Sequence, residues 1–144
     1  MKNKNLYFSI IHTSTKLNNF FKRILTKYKI TPAQLQILNI LWQNNHLSSK
    51  YIQAETGLDS STVTGIINRI IKSGFITKTI NDLDKREVII SLTEKGEHFK
   101  AVGKPVLLEM EQILTREITE PSMNNFLSTL KQIDRSIHFF EKNS

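Results

Sequence analysis

The chain alternates between two hydrophobic rhythms. Ile10, Leu17, Phe21, Ile24 and Tyr28 recur at spacings of seven, four, three and four, the stripe of one helical face. Phe8, Ile11, Phe20 and Leu25 widen that stripe, so a helix over 6–28 buries more than one side. Thr31-Pro32-Ala33-Gln34 predicts the next helix start, with Thr capping, Pro in the first turn and Gln34 closing a capping box. Leu35, Leu38, Leu41 and Trp42 are its core face, and it ends near Asn44-Asn45. A short helix follows Leu47-Ser48, with Ser48 capping, Ile52 buried and Gly57 stopping it. Another runs from Ser60 to Ser73, with Val63, Ile66, Ile67, Ile70 and Ile71 inward, and is stopped by Gly74.

The rhythm then changes to period two. Phe75–Ile80 and Arg86–Leu92 alternate and are rich in Ile, Val and Thr, predicting two strands with Asn81-Asp82-Leu83-Asp84-Lys85-Arg86 as the hairpin tip. Asp82 is expected to shape the turn through the backbone. Thr93 caps a second long helix, which Pro105 is expected to kink or restart. Thr119-Glu120-Pro121 opens the last helix, where Phe126, Leu130, Ile133, Ile137 and Phe140 form a heptad seam. The predicted fold is mainly α with a small β-hairpin wing: a winged helix-turn-helix over 31–96 within a single chain of 144 residues. It is flanked by long helices over 1–30 and 97–144 that have more apolar surface than one small domain can cover. Ile10 and Leu17 on the first, with the seam on the last, predict a homodimer.

Composition narrows the function. Apolar residues make up 39% of the chain, and no apolar run is as long as a bilayer span. The chain contains no cysteine, which excludes disulfides, thiol redox sensing and cysteine-ligated zinc. The start lacks a sustained apolar region and a small-residue cleavage site, so it reads as mature sequence and the expected location is the cytoplasm. The net charge of +7 is unevenly placed: no acid precedes Glu55, whereas eight lysines or arginines do. Segregated positive charge fits a polyanion.

Two stretches carry candidate chemistry. On the helix from Ser60, the residues Ser61, Thr64, Gly65, Asn68 and Lys72 share the face opposite the apolar one. Hydroxyls, an amide and a lysine on such a face suit a major groove, and the helix N-terminus suits a phosphate. The polar face of an ordinary amphipathic helix reads the same way in isolation; its place before a hairpin favours DNA. At the hairpin, Asp84 two residues before Arg86 can aim the guanidinium into a narrow, electronegative minor groove, with Lys85 adding phosphate contact.

The run LDSSTVTGIINRIIKSGFI followed by NDLDKREVIISLTEKG resembles the multiple antibiotic resistance regulator (MarR) family of bacterial transcription factors. The resemblance covers roughly Thr31 to Gly96 and is sharpest in the wing and in SLTEKG. It implies a homodimeric regulator of a pseudo-palindromic duplex, usually a repressor, whose affinity responds to a small aromatic or anionic ligand, with no cofactor. It assigns Arg86 as the wing arginine with Asp84 as its partner, places Ser60, Ser61, Thr62, Thr64 and Asn68 in the major groove, and sets Arg69 near phosphate. Gly65 stands where many members carry a basic residue, which implies a more AT-leaning site. Lys27, Lys29, Thr31 and Gln34 become candidates for contact with the DNA backbone, and His12 and Trp42 for the ligand pocket. Glu94, Glu97 and His98 share a helix face, but Val102 stands one turn beyond His98 where a further ligand would be needed, so no metal is expected. Neither a Gly-rich phosphate loop nor a G-x-S-x-G motif is present, so no enzyme activity is expected. Two alternatives remain: a winged helix that binds protein, and an effector- or metal-binding protein whose DNA binding is incidental.

Overall fold

The computed structural model describes residues 5–144; residues 1–4 of the expected first segment lie outside the described residues. Helix α1 spans Leu6–Leu25 and tightens into a 3-10 turn at Thr26–Tyr28. The following Lys29 adopts a left-handed conformation, φ 54°. Then come α2 (Pro32–Gln43), β1 (Leu47–Ser48), α3 (Ser49–Thr56), α4 (Ser60–Lys72), β2 (Ile76–Ile80), β3 (Val88–Leu92), α5 (Glu94–Thr115) and α6 (Glu120–Asn143). The chain divides into two compact units, one running through Pro105 and the other Val106–Ser144.

The first unit holds the winged helix. Leu35, Ile37, Leu38, Leu41, Ile52, Val63, Ile70, Ile76 and Ile90 are nearly all lost to solvent and form its core. Helix α2 packs against α1, α3, α4 and β3, and α3 packs against α4. The capping box at Thr31 forms as expected: Gln34 N donates to Thr31 Oγ1 and Thr31 N donates to Gln34 Oε1. Ser48 caps α3, and Gly57 ends it with φ 67°, a conformation open to glycine at little cost. Ile71, expected inward, is only half-buried at the edge of the apolar face of α4.

The sheet has three strands where two were expected, in the order β1-β3-β2. Leu47 and Ser48 pair with Ile90 and Ile89. A two-residue strand is too short to show a period, so the pattern gives no sign of it. The wing hairpin keeps the expected register, Ile76 opposite Leu92 through Ile80 opposite Val88.

The SLTEKG run acquires a mechanical reason. Thr93 Oγ1 donates to the Gly74 carbonyl and accepts from Gly96 N, while Thr93 N donates to the Phe75 carbonyl. A Cβ on Gly96 would collide with that same Phe75 carbonyl, so only glycine lets α5 start so close to β2. About two turns later Gly103 faces the Trp42 ring, where a Cβ would also collide. The indole Nε1 donates to the Gly96 carbonyl at 3.0 Å. Trp42, Phe99 and Phe75 form a chain of tilted rings behind the wing.

Pro105 does not start a new segment: α5 runs through it to Thr115, although the boundary between the two units falls there. In the second unit, Thr119 caps α6 and Pro121 lies in its first turn. No residue of α6 is buried. Phe126, Leu130, Ile137 and Phe140 are exposed, and Ile133 is half-buried. No helix among the described residues is long and apolar enough to cross a membrane.

Candidate nucleic-acid interface

Helix α4 presents Ser60, Ser61, Thr62, Thr64, Asn68, Arg69 and Lys72 to solvent, with Gly65 partly covered. Its N-terminus is built by Asp59. That carboxylate accepts from Thr62 N at 2.9 Å, Thr62 Oγ1 at 2.6 Å and Ser61 Oγ at 2.7 Å. The Thr62 hydroxyl, then the Thr62 amide and the Ser61 hydroxyl, hold its pKa well below the usual carboxylate range. Two consequences follow for DNA. The capping carboxylate partly occupies the helix N-terminus as an anion site, leaving the Ser60 and Ser61 amides as its outward donors. The Ser61 and Thr62 hydroxyl protons are committed to the Asp59 carboxylate, which leaves these oxygens as acceptors. Thr64 Oγ1 likewise donates within the helix, to the Ser60 carbonyl at 2.8 Å. Among the described residues, nothing in the chain hydrogen-bonds the Asn68 amide, and it keeps its full donor and acceptor set.

Gly65 is open. A Cβ there would meet only the Arg69 guanidinium, at 3.7 Å. The arginine folds back one helical turn and lies over the space that a side chain at 65 would take. The face that lacks a basic residue at 65 therefore still shows a guanidinium beside it.

The wing turn is fixed by hydrogen bonds. Asn81 Oδ1 accepts from Leu83 N at 3.0 Å, Asn81 N donates to the Glu87 carbonyl, and Glu87 N donates to the Asp84 carbonyl, both at 2.9 Å. The Asn81 amide also donates to Glu87 Oε2. Asn81 does the work expected of Asp82, because its side chain lies one residue earlier and can reach the Leu83 amide. Asp84 Oδ1 accepts from Arg86 N at 3.0 Å and from Arg86 Nε at 3.3 Å. The Arg86 side chain is 94% exposed, and Lys85 is exposed beside it. An ion pair this exposed contributes little stability; its effect is to set the direction of the guanidinium.

A cleft of about 630 Å³ joins the two parts, with Ser60 at the start of α4 on one wall and Asp84 and Arg86 on another. Ser49, Lys50 and Gln53 of α3 also line it, with Glu87 and Val88; the sequence reading missed these residues, and the lysine on a short polar helix was the available signal. A second hollow of about 500 Å³ lies between Thr64 and Asn68 of α4 and Lys78 and Ile80 of β2.

Other expected contacts separate. Lys27 and Lys29 are exposed, with the Lys27 ammonium 5.0 Å from the Tyr28 ring centre. Gln34 is 8% exposed and its carbonyl is spent on the capping box, so it is removed as a DNA contact. Thr31 is half-buried and its hydroxyl oxygen serves the same box. His12 lies in two shallow hollows on α1, one with Phe8 and one with Leu17, Phe20 and Arg23. Trp42 lines neither; it is a core residue with its polar atom satisfied.

Residues 19–102 match the family described as transcriptional regulator SarA/Rot. The chain belongs to this family of transcriptional regulators. It is 31% identical over 93 residues to the HTH-type transcriptional regulator MgrA of Staphylococcus aureus, a match covering 64% of this chain and 63% of that protein. The chain thus covers less than two thirds of that relative's length. A MarR/EmrR family transcriptional regulator from Acinetobacter superposes with a TM-score of 0.84 at 22% identity, over 92% of this chain and 94% of the other. The structure of an S. aureus MepR–DNA complex superposes at 0.82 with 20% identity, over 93% and 99%. The fold is the MarR-type winged helix that the wing and SLTEKG resembled.

Proposed function

We propose that this SarA/Rot family member acts as a cytoplasmic homodimer that binds a pseudo-palindromic DNA duplex, most simply as a repressor, and has no enzyme activity. The observation that carries this reading is the aimed guanidinium: Asp84 holds Arg86 outward at the wing, across a cleft from the polar start of α4. Each subunit sets α4 in a major groove, with Asn68 and Arg69 towards base edges and Ser61, Thr62 and Thr64 offering acceptors. Arg86 enters the adjacent minor groove, while Lys85, Lys72, Lys27 and Lys29 meet phosphates. The similar MepR structure, a DNA complex, supports a winged helix of this shape on a duplex. The exposed seam of α6, from Phe126 to Phe140, together with Ile10 and Leu17 on α1, supplies the apolar surface for a second copy. A small aromatic or anionic effector fits the hollows around His12, where Phe20 and Arg23 offer a ring and a cation.

Selection of binding sites from randomised duplex tests this. The expected product is a two-fold palindrome with half-sites about one helical turn apart, roughly 34 Å. A pool that never departs from random sequence overturns the reading.

A further inference from the structure

The tip of the wing has no net charge to recruit it. Asn81 to Arg86 contains two aspartates, one lysine and one arginine. Attraction of Lys85 and Arg86 to phosphate is offset by repulsion of Asp82 and Asp84, so Coulomb forces alone hold the tip weakly on a polyanion. Between them stands Leu83, 98% exposed. Its position is not left to chance: its amide is pinned to Asn81 Oδ1 at 3.0 Å, and the next residue is the carboxylate that aims Arg86. A hydrogen-bonded backbone thus carries an isobutyl group into water on the same turn as Arg86, three residues before it.

The walls of a minor groove are deoxyribose C–H surfaces, and apolar side chains, leucine among them, are used against that groove by architectural proteins. We propose that Leu83 is the wing's apolar DNA contact, packing on the sugar wall of the minor groove that Arg86 enters and supplying affinity that does not depend on salt. This rests on the DNA-binding reading above. Arg86 sets the depth of the tip, Lys85 meets the phosphate rim, and Leu83 removes water from the groove wall between them. The contact is made twice in a dimer, once per wing.

The test uses the full chain and the selected operator duplex, with affinity measured across a salt series for Leu83→Ser, Leu83→Met and Arg86→Ala. Leu83→Ser is expected to weaken binding about tenfold, the loss of partial burial of one leucine at each of two wings. The slope of log affinity against log salt should not change, because no phosphate contact is lost. Leu83→Met should bind within about twofold of the parent, since it keeps the apolar volume. All three variants should melt with the parent, because both side chains lie in solvent. Unchanged affinity in Leu83→Ser with a clear loss in Arg86→Ala overturns the leucine contact and leaves the wing on DNA. A loss in Leu83→Ser accompanied by a shallower salt slope also overturns it, because the leucine would then be acting through the cationic groups. Unchanged affinity in both Leu83→Ser and Arg86→Ala removes the wing itself from the DNA.

Discussion

Asp84 grips Arg86 at two points, the backbone amide at 3.0 Å and Nε at 3.3 Å, from a single carboxylate oxygen. The main-chain contact closes the turn and the side-chain contact orients the guanidinium, so the D-x-R spacing couples the shape of the wing to its direction. Arg86→Ala should weaken operator binding by roughly tenfold or more and make the salt slope shallower by about one per wing. Asp84→Ala should weaken it less, because the arginine survives but loses its direction. In a double-mutant cycle the two changes should be non-additive. Additive losses would show that Asp84 acts on the turn alone.

Asp59 caps α4, the helix that the proposed complex sets in the major groove. Its pKa is held below the usual carboxylate range, chiefly by the Thr62 hydroxyl, so the ionised cap favours the folded state. The sign follows: the contribution is complete above the ordinary aspartate pKa, near pH 4, and is lost as pH falls through the lower folded value. Asp59→Ala should therefore lower the melting temperature at neutral pH, and the gap from the parent should narrow under acid. Thermal melts from pH 7 down to pH 2.5 check this. A gap that widened in acid would contradict the assignment.

Asn68 and Arg69 are exposed on the polar face of α4, and the proposed complex turns their donors towards base edges. Substituting Asn68 with Ala should relax preference at one base pair per half-site by about 1–3 kcal/mol, with little change in salt slope. Gly65→Arg should crowd the Arg69 guanidinium, which lies 3.7 Å from the site of a Cβ, and shift preference towards G·C. Repeating the binding-site selection with each variant reads both effects.

Gly96 and Gly103 have structural roles. Gly96→Ala pushes α5 from the Phe75 carbonyl, and Gly103→Ala presses on the Trp42 ring. Each should cost about 1–3 kcal/mol by overpacking. Of the two, Gly96→Ala should cost more, because a backbone carbonyl yields less than a ring. Urea titrations with the parent m-value fixed measure this.

Much of the fold was legible in the sequence because its signals are local. The capping box at Thr31, the stop at Gly57 and the helix start at Thr119 each depend on residues within one turn, and all three formed. The wing was legible because alternation and a polar tip stand out between helices. What was hidden depended on distant partners. Leu47 and Ser48 become a strand only because β3 offers them an edge. Gln34 was read both as a cap and as a DNA contact, and burial left it only the first role. Trp42 was placed near a pocket, but Gly96 and Gly103, more than fifty residues later, close over it. Of the candidate DNA contacts, the polar face of α4 and the wing pair were visible from spacing. The commitment of the Ser61 and Thr62 hydroxyls to the Asp59 carboxylate was not, since it depends on the geometry of that cap.

Fluorescence anisotropy tests the central claim most directly. The selected operator duplex and a scrambled duplex of the same composition would each be titrated with the full chain from low to physiological salt. Binding to the operator tighter by about a thousandfold or more at physiological salt, with a slope reflecting several phosphates, is the predicted result. Equal, salt-labile binding to both duplexes would contradict it, reducing the protein's interaction with DNA to that of a basic surface with a polyanion.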